Sequence, residues 1–172
     1  MSVHVFTLVL DREPTDEELS ILFDRDVDDV TFGVEGGLPV AEFDRGAPTA
    51  ADAIASAVRD LDSVGLNPIR LFDQDLLTLA DIADRVGRSR EAIRRYAAGT
   101  RGPGGFPPPV NPAREGTVFY RWSEVAPWLE RHVDVEVAKV DYVWVTANLV
   151  LQLRQHRDRV EHMSALTDLL AV

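Results

Sequence analysis

Leu79-Ala80-Asp81-Ile82-Ala83-Asp84-Arg85-Val86-Gly87-Arg88-Ser89-Arg90-Glu91-Ala92-Ile93-Arg94-Arg95-Tyr96 has the spacing of two short helices joined by a tight turn. Ala83 is small where the helices must cross closely, and Gly87 permits the positive φ that such a turn needs. Ile82, Val86, Ile93 and Tyr96 recur at the intervals that pack one helix on the other. Thr78 caps the first helix, and Ser89 starts the second, which runs to about Ala97. This leaves Ser89, Arg90, Glu91, Arg94 and Arg95 on an outer face. Residues in the N-terminal half of such a helix reach base edges when it enters a major groove. On spacing alone, an ordinary helical hairpin with solvated arginines is the alternative, and DNA binding is the reading preferred.

Downstream, Gly99 to Gly105 is a glycine-rich loop holding Arg101. Two extended segments follow, Phe106 to Val110 and Thr117 to Trp122, joined by Asn111-Pro112-Ala113-Arg114-Glu115-Gly116. Ser123 then caps a helix with Val125, Trp128 and Leu129. From Leu79 to Leu129 the chain resembles the winged helix-turn-helix DNA-binding modules of MerR, excisionase and AlpA-like regulators. The features that carry the resemblance are the paired helices, Phe106-Pro107-Pro108-Pro109-Val110, Phe119-Tyr120-Arg121-Trp122 and the closing Ser123-Glu124-Val125-Ala126-Pro127-Trp128-Leu129. The chain departs from these modules at Arg88, where they often place a small apolar residue. The resemblance implies double-stranded DNA as partner, with Thr78 and Arg88 beside the helix 89–97. It also implies a wing gripping backbone or minor groove, which nominates Arg101, Arg114 and Arg121.

The charge is distributed to match. Of 172 residues, 45% are hydrophobic and 27% charged, the balance of a globular chain, yet the formal net charge is −11. Residues 1–75 carry 5 Arg against 17 acidic residues, a net of −12. Residues 76–132 carry 9 Arg against 6 acids, a net of +3, and residues 133–172 have a net of −2. A basic island in an acidic chain is what a phosphate-contacting module needs, whatever the overall balance. Three parts are therefore expected: an acidic domain at 1–75, a winged domain at 76–132 and a helical dimerisation segment at 133–172.

The first part reads as alternating strands and helices. Val3 to Leu10 is apolar and β-branched. Thr15 and Glu18 form a capping box before a helix with Leu19, Leu22 and Phe23 on its apolar face. Gly36-Gly37 turns a hairpin between 29–35 and 38–44. Thr49 and Asp52 cap a helix whose stripe is Ala53, Ile54, Ala57, Val58 and Leu61, ending at Gly65. Asn67 to Phe72 is a last strand. This β-α-β-β-α-β order is that of ferredoxin-like folds, so the class expected is α+β.

The last part reads as one long helix from Val135 to about Arg157, then a shorter one with Met163, Leu166, Leu169 and Leu170. Between Val143 and Leu153 there is no charged residue. A helix apolar over so much of its surface needs cover on more than one side. Because the MerR-like relatives pair through a C-terminal helix, a homodimer through Val140, Trp144, Ala147, Leu151, Leu166 and Leu170 is expected.

Other chemistry finds little footing. Without cysteine, disulfides and thiolate metal sites are excluded. His4, His132, His156 and His162 are scattered, and the acidic run Asp24–Asp29 lacks the glycine and distal glutamate of a calcium loop. Gly102-Pro103-Gly104-Gly105 is no phosphate cradle, since no Lys-Ser/Thr and helix start follow. No nucleophile–base pair stands out, so no enzyme, metal or cofactor is expected. With no basic leader and no apolar run of about 18 residues, a cytoplasmic protein is the default. The reading is a sequence-specific transcriptional regulator with a protein partner or effector possible at residues 1–75. Two alternatives stay open: an antitoxin or adaptor with autoregulatory DNA binding, and an excisionase-like recombination factor, for which residues 1–75 are superfluous.

Overall fold

The computed structural model describes residues 2–72, 75–111, 116–137 and 140–171. It is a mixed α+β chain that divides into two compact units, residues 1–72 with 146–172, and residues 73–145. The segment set apart at 133–172 is thus split between them. Among the described residues no helix is long and apolar enough to cross a membrane.

The first unit runs β1 (Ser2–Leu10), α1 (Asp16–Asp24), β2 (Val30–Glu35), β3 (Leu38–Ala47), α2 (Ala50–Asp62) and β4 (Pro68–Leu71). The sheet order is β2-β3-β1-β4, with every neighbouring pair antiparallel. Gly36 and Gly37, at φ 57° and 83°, turn β2 into β3 so that Glu35 faces Leu38. Such a turn requires positive φ at both central residues and matches the twist of the strands. Thr15 and Glu18 form the expected capping box, and Thr49 accepts from the Asp52 N–H. All five residues of the α2 stripe are buried. In α1 only Leu22 is buried, and Phe23 is 75% exposed, so the expected three-residue apolar face reduces to one.

One sheet face is centred on Phe6 stacked on Phe43, with ring centroids 5.4 Å apart. Beside them lies Arg45, a buried cation on β3. Its guanidinium donates twice to Asp29, both at 2.7 Å, once to Asp60 at 2.5 Å and once to the Ser56 hydroxyl at 3.2 Å. It also lies 5.0 Å from the Phe43 ring centre. A charge taken out of water needs such company. These bonds, chiefly the Arg45 hydrogen bond, hold the Asp29 carboxyl below its ordinary range.

The C-terminal residues of this unit protect a sheet edge. Helix α6 (Tyr142–Arg154) contributes Asn148, whose side-chain oxygen accepts from the outward N–H of Leu71 at 3.1 Å. Gln155, seven residues on, donates to the outward carbonyl of Ile69, and Arg154 pairs with Asp62 at 2.6 Å. An open strand edge invites pairing with another chain, and here side-chain amides occupy it. Ala147, Asn148, Leu151, Arg154 and Gln155 therefore form the covered side, with Leu151 only 3% exposed. Leu149, Val150 and Leu153 are exposed. The chain ends with a 3-10 turn (Arg157–Arg159), α7 (Met163–Thr167) and a second 3-10 turn (Asp168–Leu170). Leu166, Leu169 and Leu170 are exposed.

The second unit holds β5 (Leu76–Leu77), α3 (Leu79–Arg85), α4 (Arg90–Ala97), β6 (Tyr120–Arg121) and α5 (Trp122–His132). Its core joins Ile82, Ala83, Ile93 and Tyr96 to Trp122, Val125, Ala126, Trp128 and Leu129. Helix α5 starts one residue before the expected Ser123 cap, and Ser123 is buried. The cap comes from elsewhere. One Asp75 carboxylate oxygen accepts from the Ser123 N–H at 2.7 Å, and the other accepts from its hydroxyl at 3.1 Å. The Asp75 carbonyl accepts from the Trp122 N–H at 2.6 Å. Asp75→Ala leaves the buried Ser123 N–H and hydroxyl unpaired and should cost about 2 kcal/mol, as read by chemical denaturation of the full chain.

The expected long helix from Val135 is a second correction. Residues 133–137 are not helical, and Val133, Val135, Val137 and Val140 pack against the core of this unit. Alternation in Val133-Asp134-Val135-Glu136-Val137 has the two-residue period of extended chain, which suits burial of one side. Asp141 then accepts from the Val143 N–H at 3.0 Å as α6 begins.

Candidate nucleic-acid interface

The turn between α3 and α4 has a specific local cause. Gly87 takes φ 62°, the Arg88 N–H donates to the Ala83 carbonyl at 2.9 Å, and the Gly87 N–H donates to that of Asp84 at 3.3 Å. These two bonds form the Schellman closure of a helix end, which satisfies carbonyls the helix leaves open. Thr78 and Asp81 close a capping box at the start of α3, and the Ser89 hydroxyl accepts from the Ala92 N–H at the start of α4. Thr78 and Ser89 are thus engaged as caps.

Helix α4 divides cleanly. Ile93 and Tyr96 are buried, while Arg90, Glu91, Arg94 and Arg95 are exposed together. Glu91 accepts from Arg94 at 2.7 and 2.9 Å and from Arg95 at 3.0 Å. These contacts, Arg94's first, bring the Glu91 carboxyl down to about 2, so it remains anionic at physiological pH. Among the described residues, Arg90 has no such partner. Chemically the face offers three guanidinium forks, each able to donate to phosphate oxygens or to guanine O6 and N7, and one carboxylate acceptor.

Arg88 is turned to structural use, donating to the Asp134 carbonyl at 2.7 Å and tying the turn to the strap after α5. Arg101 lies 5.2 Å from the centre of the Tyr96 ring, with its backbone N–H donating to the Arg95 carbonyl at 3.2 Å. Arg88, Ser89, Tyr96, Arg101, His132 and Asp134 line a cleft of about 530 Å³.

The wing region is less regular than expected. The Val110 N–H donates to the Phe119 carbonyl at 2.8 Å, but Pro107, Pro108 and Pro109 have no N–H to extend a ladder. The Asn111 side chain substitutes for backbone, donating to the Thr117 carbonyl at 2.9 Å and accepting from the Phe119 N–H at 2.8 Å. The regular ladder instead pairs Leu76 with Arg121 and Leu77 with Tyr120. Phe106 packs edge-on against Tyr120 and Trp128, and the Trp128 indole N–H donates to the Gly104 carbonyl at 3.2 Å. This anchors the glycine-rich loop to α5. Arg121 pairs with buried Asp75 at 3.3 Å, and Arg114 lies outside the described residues.

Arg90, Glu91, Arg94 and Arg95 are thus brought onto one face, and Arg88 and Arg101 onto a neighbouring cleft. Among the described residues no group of three His, Asp or Glu is placed to hold a metal ion. Asp75 was not singled out in the sequence, because its role depends on a partner 48 residues away. Of the residues expected at a dimer interface, Val140 packs on the core of its own unit and Leu151 is buried by its own chain. Trp144 and Ala147 are half-buried, and Leu166 and Leu170 are exposed. Comparisons with known protein families, curated proteins and solved structures found no match to this chain.

Proposed function

We propose that residues 75–137 form a winged helix-turn-helix domain and that the protein is a sequence-specific DNA-binding regulator of transcription. In this reading α4 enters the major groove, base contacts supply specificity, and arginine–phosphate contacts with counterion release supply affinity. The observation that carries it is the outer face of α4, where Arg90, Arg94 and Arg95 gather on a helix whose other side is fixed in a core. The first unit is read as a ferredoxin-like domain, supported by its element order and antiparallel sheet order β2-β3-β1-β4. Its work is placed in the cytoplasm, where the DNA of such regulators lies.

The test is selection of genome-derived duplex fragments by the purified full-length protein. Retention of a discrete sequence is expected. Retention of nothing, or of all fragments alike, contradicts the proposal. A module with so small a positive net charge needs a second copy, and the contact surface proposed is Leu149, Val150, Leu153, Leu166, Leu169 and Leu170. The wild-type protein should sediment as a dimer, and Leu149→Asp with Leu153→Asp should yield folded monomers that bind a two-half-site duplex far more weakly. A second reading, a protein-interaction module, is favoured by exposed Val3, Val5 and Phe23 on the acidic first unit. Because such a module also binds duplex autoregulatorily, the origin of the selected fragments separates the two: fragments from the promoter of its own gene alone favour the second reading, and fragments from other promoters favour the first.

A further inference from the structure

Three hydrogen bonds converge on one exposed carboxylate in the middle of the arginine face of α4. As a stabilising device this is weak. Surface ion pairs at i,i+3 and i,i+4 contribute little to stability, and all three side chains are more than half exposed. As a device acting on a polyanion it is strong. The carboxylate occupies the Nε donors of both arginines and a second nitrogen of Arg94, the donors that a phosphate would take.

We propose that Glu91 is a specificity-determining residue, an internal competitor that withholds Arg94 and Arg95 from DNA phosphates until a matching base engages its carboxylate. This rests on the DNA-binding reading above. On a random sequence the two arginines remain shared with Glu91, and its negative charge faces the phosphate backbone, so binding is poor. On the correct site a cytosine N4 amine donates to Glu91, the base contact a carboxylate suits. The arginines are then released to phosphate or guanine. Arg90, which has no carboxylate partner among the described residues, makes its base contact independently of Glu91.

The experiment compares wild type and Glu91→Gln, each full-length and checked for folding by circular dichroism. Each is titrated into a selected duplex and into a random-sequence duplex over a range of salt. For Glu91→Gln, random-duplex affinity should rise about tenfold at moderate salt, and its salt slope should steepen by about one to two, the equivalent of one or two added phosphate contacts. The ratio of selected to random affinity should fall, and a C·G to T·A change at one position should cease to matter. An unchanged random-duplex slope in Glu91→Gln, with wild type still selecting its site, overturns the role of Glu91 and leaves the DNA reading intact. Failure of both proteins to hold any duplex overturns both.

Discussion

Replacing Arg90, Arg94 and Arg95 together by alanine should reduce affinity for the selected duplex by at least about 100-fold, because a bidentate base contact and phosphate contacts are lost at once. The single variants should differ in kind. Arg90→Ala relaxes preference at one or two base pairs, at a cost of about 1–3 kcal/mol. Arg94→Ala or Arg95→Ala weakens binding to the selected duplex and flattens its salt slope by about one, with little effect on a random duplex, where Glu91 already holds the two arginines. The variants should fold normally, since the three side chains are exposed and their stability contribution is small. Unchanged affinity in the triple variant would mean that α4 is not the element that meets DNA.

Arg45→Ala should destabilise the first unit by about 3 kcal/mol, because it leaves Asp29 and Asp60 partly buried with no cation between them. The lower end of the range for buried pairs applies, since both carboxylates keep some contact with water. The loss includes the guanidinium's packing on Phe43. The pH dependence has a defined sign. The folded state lowers the Asp29 pKa, so its contribution is complete above the ordinary Asp value of about 3.9 and fades as pH falls through the lower folded value. Denaturation midpoints of wild type should therefore drop on acidification in that window, and those of Arg45→Ala should drop less. Parallel curves for the two proteins would show that the network does not set the acid limb.

The parts of this fold that could be read in the sequence are those set by neighbours a few residues apart. The pair of helices at 79–97 is written in Thr78, Gly87 and Ser89, each bonded three residues away, and in the small, buried Ala83. The six elements between Ser2 and Leu71 follow from alternation, capping residues and the Gly36-Gly37 turn, and the α2 stripe is buried as its spacing indicates. What was not legible depends on partners distant in sequence. Asp75 caps α5 in place of Ser123, which no local pattern reports. The prolines of 107–109 suited an extended chain but also deprived the wing of ladder donors, and Asn111 took over.

The covered side of α6 was hidden for another reason. Asn148 and Gln155 are polar and look solvent-directed, yet they cap the edge of β4, so the side carrying Leu151 faces its own unit. The three valines at 133, 135 and 137 held a two-residue period, but the apolar run beyond them suggested continuous helix. Of the candidate site, the arginines of α4 were legible from helical spacing. The Glu91 bridge between Arg94 and Arg95 needed side-chain geometry.

If α4 reads base edges in a major groove, methylation of guanines in the selected duplex interferes with binding. Methyl groups placed at guanine N7 project into the major groove and block an arginine fork there. Discrete guanines within the site should abolish binding when methylated, and their pattern should change in Arg90→Ala. Binding indifferent to guanine N7 methylation throughout the site would show that the arginines of α4 do not read guanine in the major groove.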